Sequence, residues 1–325
     1  MRAPEFWRTG GLLASALSPL GCLWTAAGRI RSKTAKAEAV GIPVICIGNA
    51  VAGGAGKTPV ALAVAAELMR IGHSPHFLSR GYGGSFPGPI RVEPGLHGPA
   101  EVGDEPLLLA ALAPTWVSRD RVAGARAAAA AGAEMMVMDD GLQNPSLRKD
   151  VSLLVVDGGF GFGNGRPIPA GPLREPIADA LARVAAVVIV GEDRAGIAGV
   201  VGAAHPVLEA RFVPVPDGGA VSGRRVIAFA GIGRPQKFFE TLAGMGCEIV
   251  SEVAFPDHHD YSEDEVMRLL EAAAAAGAVP VTTEKDSVRL PETVKGMVET
   301  VRVTLEWADP GAFERLVASF TAGKA

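Results

Sequence analysis

The stretch Gly48-Asn49-Ala50-Val51-Ala52-Gly53-Gly54-Ala55-Gly56-Lys57-Thr58-Pro59 constrains the fold more than any other part of the chain. It follows the apolar run Ile42-Pro43-Val44-Ile45-Cys46-Ile47 and precedes Val60 to Leu68, a run of good helix formers. That order is buried strand, glycine-rich loop, helix. Closely spaced glycines let backbone N–H groups turn inward around phosphate oxygens, and the helix presents its positive end to the same anion. Gly53, Gly54, Ala55 and Gly56 would form the cradle, Lys57 would meet the β- and γ-phosphates, and the Thr58 hydroxyl would be a Mg²⁺ ligand. The first glycine of the usual G-x-x-x-x-G-K-[ST] pattern falls at Val51, so the match is to its second half. A glycine-rich βα turn that binds nothing is the alternative, and the strand–loop–helix context favours a nucleoside triphosphate site.

The chain has 325 residues, 48% hydrophobic and 20% charged, enough for two domains with a substantial core. A formal net charge of −4 leaves no electrostatic footprint for nucleic acid, and no protein partner is evident. Cys22, Cys46 and Cys247 lie far apart and suit a reduced compartment better than a disulfide framework or a metal site.

Gly10 to Gly28 carries no charged residue, with Arg2 and Arg8 before it and Arg29, Arg31, Lys33 and Lys36 after it. A signal peptide would export a phosphate loop away from ATP. A spanning helix would be barely long enough, and Pro19 and the glycines weaken it. An ordinary core helix stays open. The favoured expectation is an interfacial helix, apolar side in the acyl boundary and basic flank on anionic headgroups.

Alternation of short apolar runs with helical segments predicts a doubly wound α/β unit, ligands at the C-terminal edge of its strands. After the loop come the strand His76–Ser79 with Arg80 and a glycine-rich turn, then a loop from Pro87 to Gly98. Asp104 and Glu105 open a helix, either as macrodipole complements or as a base and a metal-shell carboxylate. Trp116–Ser118 reads as a strand, followed by the alanine-rich helix from Ala123 to Ala131 with Arg119, Arg121 and Arg126. Met135-Met136-Val137-Met138-Asp139-Asp140 is an apolar strand ending in two carboxylates, as a Walker B element requires beside a phosphate loop. Val151–Asp157 and Val187–Val190 close this series, and the turn Pro172-Leu173-Arg174-Glu175-Pro176 offers Arg174 for phosphate charge.

A hinge is expected at Phe212 to Ser222, with Pro214, Pro216, Gly218 and Gly219. Three segments are expected: 1–40 as the interfacial helix and its basic flank, 41–211 as the nucleotide-binding domain, 212–325 as a smaller α/β domain. The last contains strands at Arg225–Ala230, Glu248–Val250 and Val253–Phe255, a helix from Gln236 to Ala243, and a last strand from Val279 to Asp286 with a polar, charged end. Phe255-Pro256-Asp257-His258-His259-Asp260 has too little supporting His or Cys spacing for a metal site, and suits a proton relay or a solvated loop. Ser262 to Glu265 is a capping box.

Taken together, Gly-Gly-Ala-Gly-Lys57-Thr58-Pro, Ser79-Arg-Gly-Tyr-Gly, Gly103-Asp-Glu-Pro, Asp139-Asp-Gly-Leu-Gln, Pro172-Leu-Arg-Glu-Pro, Phe255-Pro-Asp-His-His and Thr283-Glu-Lys-Asp resemble the tetraacyldisaccharide 4'-kinase family, in its order and over nearly the whole chain. The resemblance implies transfer of phosphate from ATP to the 4'-hydroxyl of the tetraacyl glucosamine disaccharide 1-phosphate, at the cytoplasmic face of the inner membrane. It implies two α/β domains with the site between them and a membrane-associating N-terminal helix. By similarity, Lys57 and Thr58 hold phosphate and Mg²⁺, Asp139 and Asp140 belong to the metal shell with Glu105 near, and Arg80, Gln143 and Arg174 support phosphate or sugar. Asp104 resembles the family's base, with His258 rather than His259 taken as its support. Two departures stand out: Leu142 and Asn144 where the pattern has Phe and His, and Arg234-Pro235 where Asn-Pro is usual.

Two other readings compete with the kinase. A deviant phosphate-loop ATPase or GTPase switch would carry a lysine where Ala52 stands, and a guanine-reading Asn-Lys-x-Asp is absent. A membrane-binding scaffold leaves Lys57 and Asp139-Asp140 without a use.

Overall fold

The structure, a computed structural model, describes residues 4–215 and 221–321. Its strands are β1 (Val44–Gly48), β2 (Pro75–Ser79), β3 (Ile90–Arg91), β4 (Thr115–Val117), β5 (Met135–Asp139), β6 (Val151–Asp157), β7 (Ala186–Val190), β8 (Val207–Pro214), β9 (Arg225–Ala230), β10 (Glu248–Ala254), β11 (Val279–Thr283), β12 (Glu299–Val301) and β13 (Val303–Trp307). Among the described residues they form a nine-stranded sheet, β13-β8-β7-β6-β1-β5-β2-β4-β3, and a four-stranded sheet, β10-β9-β11-β12. The large sheet is parallel except at its edges, where β3 and β13 run antiparallel to their neighbours. The smaller sheet is parallel throughout.

Strands buried on both faces need apolar residues at every position, and β1, β5 and β7 are buried along their whole length. One face of the large sheet (Cys46, Met136, Met138, Leu154) packs on Val122, Ala125 and Ala128 of the helix Arg121–Ala130. On the other face, Ile45, Ile47, Val137 and Val155 meet Val60, Val64 and Leu68 of the helix Lys57–Arg70, with Phe313 and Val317 of the C-terminal helix Pro310–Thr321. Each fully buried large aliphatic side chain contributes about 1.5–3 kcal/mol, so these two layers fix the position of β1 and its loop. Strand order reverses about β1, with β5 on one side and β6 on the other, which is where a doubly wound sheet opens a crevice. In the smaller sheet, Phe229 and Ile227 pack on Val266 and Leu269, and Val226 and Ala228 on Phe238 and Leu242.

Several expectations are corrected. Val187–Val190 does not close the series, because β8 adds to it in parallel and β13 pairs antiparallel with β8. The expected last strand from Val279 to Asp286 stops at Thr283, where the short helix Glu284–Ser287 begins, and β12 and β13 follow it. The C-terminal strand and helix lie on the large sheet, so the expected unit 212–325 is smaller in space than in sequence. Glu248–Ala254 is one strand whose register shifts between Ile249 and Ser251, and Ile90–Arg91 interrupts the expected loop. Of the expected hinge, Phe212 and Pro214 belong to β8, while Pro216, Gly218 and Gly219 lie outside the described residues.

The apolar N-terminal stretch is one helix, Leu12–Thr34, in which only Ala14 and Gly21 are buried. Trp24 donates its indole N–H to the Arg174 carbonyl at 2.8 Å, and Arg29 pairs with Asp179 at 2.7 Å. A Cβ on Gly21 would lie 3.1 Å from the Pro167 carbonyl oxygen, so a small residue lets this helix lie close. Leu12, Leu13, Leu20, Leu23, Trp24 and Ile30 stay exposed. Among the described residues, no helix is long and apolar enough to cross a membrane.

Candidate active site

The glycine-rich loop leaves β1 at Gly48, where a Cβ would stand 2.5 Å from that of Leu142. Leu142, fully buried, thereby packs directly on the loop's root. Gly53 and Gly56 take φ of 115° and 85°, left-handed values that glycine adopts without strain. Gly56 caps the helix Lys57–Arg70, and Pro59 falls in its first turn, where a missing N–H costs nothing. The loop is tied to the Arg174 turn by two backbone bonds, Ala52 N–H to Pro172 O at 2.8 Å and Arg174 N–H to Ala50 O at 2.7 Å.

Lys57 is buried and its Nζ lies 3.6 Å from Asp140 Oδ2. Thr58 Oγ1 donates to Asp139 Oδ2 at 2.9 Å. Arg174 reaches Asp140 Oδ1 at 2.7 Å and Gln143 Oε1 at 3.4 Å, and Gln143 Nε2 donates to Asn49 O and Glu175 Oε1. Asn144 accepts from the Ser146 and Leu147 amides and shapes its own turn. Arg80 is exposed at the end of β2.

Asp139 is 1% exposed, and its Oδ1 has no hydrogen-bond partner. Burial, followed by the charge of Glu105, raises its pKa to about 7. Asp140 goes the other way: against burial, Lys57 and Arg174 hold its carboxyl below the usual range. Among the described residues, no three His, Cys, Asp or Glu side chains form a ready-made metal cluster. An orphaned carboxylate oxygen beside a hydroxyl is nonetheless a hard-oxygen donor set of the kind Mg²⁺ uses, one or two carboxylates with the rest from phosphate and water.

The second group comes from both sheets. Asp104 begins the helix Asp104–Ala110, and its Oδ2 lies 2.9 Å from His258 Nδ1. His258 sits in the loop after β10 with φ 58°, and Tyr82 of the Ser79–Gly83 turn faces its ring at 5.4 Å. His259 turns away, stacking on Phe255 at 4.6 Å and meeting Glu265 at 3.3 Å. Lys285 bridges the units, with Nζ 3.2 Å from Glu105 and 3.8 Å from Asp104. Although burial opposes it, the His258 hydrogen bond, Lys285 and Arg289 keep the Asp104 carboxyl below its usual range. The units also meet over the loop itself: a Cβ on Gly233 would lie 3.5 Å from Gly54 N.

Three charged residues near the site were not singled out from sequence. Arg121 is 4% exposed, its Nε is unpartnered, and burial followed by nearby Arg80 lowers its pKa to about 10. Its only sequence signal was an arginine opening an alanine-rich helix. Lys285 reads from the sequence as part of the polar end of the expected last strand, which gives no sign of its partners, and Arg289 carries no signal.

The family model described as tetraacyldisaccharide-1-P 4'-kinase matches residues 13–321. The tetraacyldisaccharide 4'-kinase of Rhodospirillum centenum is 54% identical, over 100% of this chain and 98% of that relative. The enzyme of the same name from Rhodospirillum rubrum is 52% identical, over 100% and 99%. Among solved structures, LpxK of Aquifex aeolicus, crystallised in complex with ATP, superposes with a TM-score of 0.75 at 26% identity, covering 95% of this chain and 99% of that one. The chain belongs to the tetraacyldisaccharide-1-P 4'-kinase family.

Proposed function

We propose that this kinase moves the γ-phosphoryl group of ATP to the 4'-hydroxyl of a tetraacyl glucosamine disaccharide 1-phosphate, in the cleft between its two sheets. The observation that carries the mechanism is the Asp104–His258 hydrogen bond, 2.9 Å long, one partner from each unit. Phosphoryl transfer asks for positioning and charge neutralisation more than covalent chemistry. The backbone of Gly53 to Gly56 binds the phosphates, Lys57 meets the transferring group, and Arg174 and Arg80 supply further positive charge. Gln143, held between Asn49 O and Glu175, orients Arg174. Thr58 and Asp139 would hold Mg²⁺, with Asp140 and Glu105 beside it. Bound there, the ion would neutralise charge on the β- and γ-phosphate oxygens.

Asp104 is the general base. Its carboxylate, ionised at neutral pH, takes the proton of the attacking hydroxyl, and His258 on the same Oδ2 orients the carboxylate and supports the charge change. Closure of the Gly231–Arg234 turn over Gly54 excludes water from the loop.

The lipid would enter from the side of the helix Leu12–Thr34. A cavity of about 500 Å³ lies between this helix and the 165–177 turn, lined in part by Cys22, Thr25, Arg166, Pro167 and Ile177. Exposed leucines and Trp24 on a helix whose last turn carries Arg31 and Lys33, with Lys36 just beyond it, suit a peripheral site on the cytoplasmic face of an anionic inner membrane. The reading is tested by ³¹P NMR of the lipid after incubation with ATP and Mg²⁺. A new monoester resonance at the 4'-position is expected; phosphate released only into solution would retire it.

A further inference from the structure

Arg289 is buried, its side chain 3% exposed, in the smaller unit behind the His258 loop. Its Nη1 donates to His259 O at 3.1 Å, and its Nη2 donates to Gly231 O at 3.0 Å and Asp286 Oδ1 at 2.6 Å. Gly231 O also accepts the His258 amide at 3.0 Å. One guanidinium therefore holds the carbonyl after His258 and the carbonyl to which the His258 amide is bonded. A non-glycine residue with φ 58° is in an unfavourable backbone region and persists only where its surroundings fix it.

Asp286 anchors the guanidinium. It is fully buried and accepts from Gly231 N–H at 2.9 Å, Tyr261 OH at 2.9 Å and Thr283 Oγ1 at 2.5 Å. This network belongs to the smaller unit, yet Arg289 Nε stands 3.7 Å from Asp104 Oδ2 on the other. An ion pair serving only the fold would have no need to grip both carbonyls flanking the His258 backbone or to face the base across the cleft.

The geometry points to Arg289 as a positioning residue for the reaction, locking the His258 backbone so that its Nδ1 meets Asp104 when the two units come together. The inference rests on the reading of Asp104 and His258 as the base pair. The hydrogen bonds of Arg289 go to Lys285 O, His259 O, Gly231 O and Asp286, none of them in the 53–58 loop or at Lys57, so its effect belongs in turnover and not in ATP affinity.

The test is a kinetic cycle on the full chain with Arg289→Lys, His258→Ala and the double variant, measuring kcat, the KM for ATP and the thermal midpoint of each. Lysine keeps the charge but cannot bridge two carbonyls in the same plane. Arg289→Lys is expected to lower kcat about tenfold or more, part of the ~10²–10⁴ that a positioned base supplies, with the ATP KM within about twofold. In the His258→Ala background the same substitution is expected to change kcat less than about twofold, because the group it positions is gone. Wild-type turnover in a folded Arg289→Lys, or an equal loss in both backgrounds, would overturn the proposal. If the lysine variant does not fold, Arg289→Gln, able to reach one carbonyl only, is read by the same ratio. Asp104→Asn separates the two claims: full activity there sinks the base assignment itself, whereas an inactive Asp104→Asn beside a normal Arg289→Lys sinks only the role of Arg289.

Discussion

Asp104 and His258, 154 positions apart in the chain, meet at 2.9 Å through Oδ2 and Nδ1. The contact exists only while the two sheets face each other, so a base of the proposed kind depends on that arrangement. Asp104→Asn keeps the shape and removes the proton acceptor. Its kcat is expected to fall about 10²–10⁴-fold, with the KM for ATP little changed because Asp104 lies outside the phosphate loop. Steady-state kinetics decide this, and turnover near wild type would end the assignment.

Thr58 and Asp139 form the second pair, 2.9 Å apart at the foot of the loop. Chelation of divalent cations is expected to abolish turnover. Thr58→Ala is expected to raise the Mg²⁺ concentration giving half-maximal rate, since one of two protein donors is lost. Lys57→Ala should cost about 10²-fold or more in kcat, as when a donor to transition-state charge is removed. A Mg²⁺ titration of initial rates checks the first two; an unchanged half-maximal concentration in Thr58→Ala would exclude it as a ligand.

Arg234 pairs with Asp157 at 2.6 Å and lies 4.5 Å over the Phe160 ring, while Lys237 holds the other Asp157 oxygen. Asp157 ends β6 of the large sheet and the two cations open the helix Pro235–Gly244, so this cluster also ties the units together. Burial alone would raise the Asp157 carboxyl, but Lys237 and Arg234 hold it below its usual range. A carboxyl depressed in the folded state stabilises above its unfolded pKa, near 4, and that stabilisation is lost as pH falls through the folded value. Chemical melts should therefore show a drop in stability below about pH 4 that is smaller in Asp157→Asn, the remainder coming from other depressed carboxyls such as Asp104 and Asp140. At pH 7, Asp157→Asn should cost about 1–3 kcal/mol, the scale of charge-assisted bonds lost between a buried carboxylate and two partly exposed cations.

Much of the large sheet could be read along the chain because its strands are buried on both faces and appear as unbroken apolar runs. Met135–Asp139 is typical, down to the two carboxylates at its end. The edges were harder. Val303–Trp307 alternates in burial, and its partner β8 lies some 90 positions earlier, a pairing no local pattern encodes. The site divided the same way. Lys57, Thr58, Asp139, Asp140 and Arg174 follow from one loop and its neighbouring strand ends, and they are close in space. Arg289 and Lys285 act across the cleft, and their partners are visible only once the smaller sheet is placed against Asp104. Arg121 is buried and bonds the Ser118 carbonyl, which spacing alone does not reveal.

The helix Leu12–Thr34 leaves Leu12 92% and Leu23 66% exposed, more apolar surface than a helix in water keeps without a use. Replacing Leu12, Leu13, Leu20 and Leu23 with serine is expected to weaken co-sedimentation with anionic vesicles severalfold. Nucleotide binding should be unchanged, because none of these side chains lines the phosphate loop. Equal sedimentation of wild type and variant would remove the interfacial role.

The central claim, that ATP and the disaccharide lipid meet at a base built from both units, is tested most directly by label transfer. Purified protein in detergent micelles receives γ-labelled ATP, Mg²⁺ and the tetraacyl disaccharide 1-phosphate, beside Lys57→Ala and Asp104→Asn. Label in the lipid with wild type, reduced about 10²-fold or more in both variants, is the predicted result. Label found only as free phosphate, or transfer undiminished in Asp104→Asn, would contradict the account.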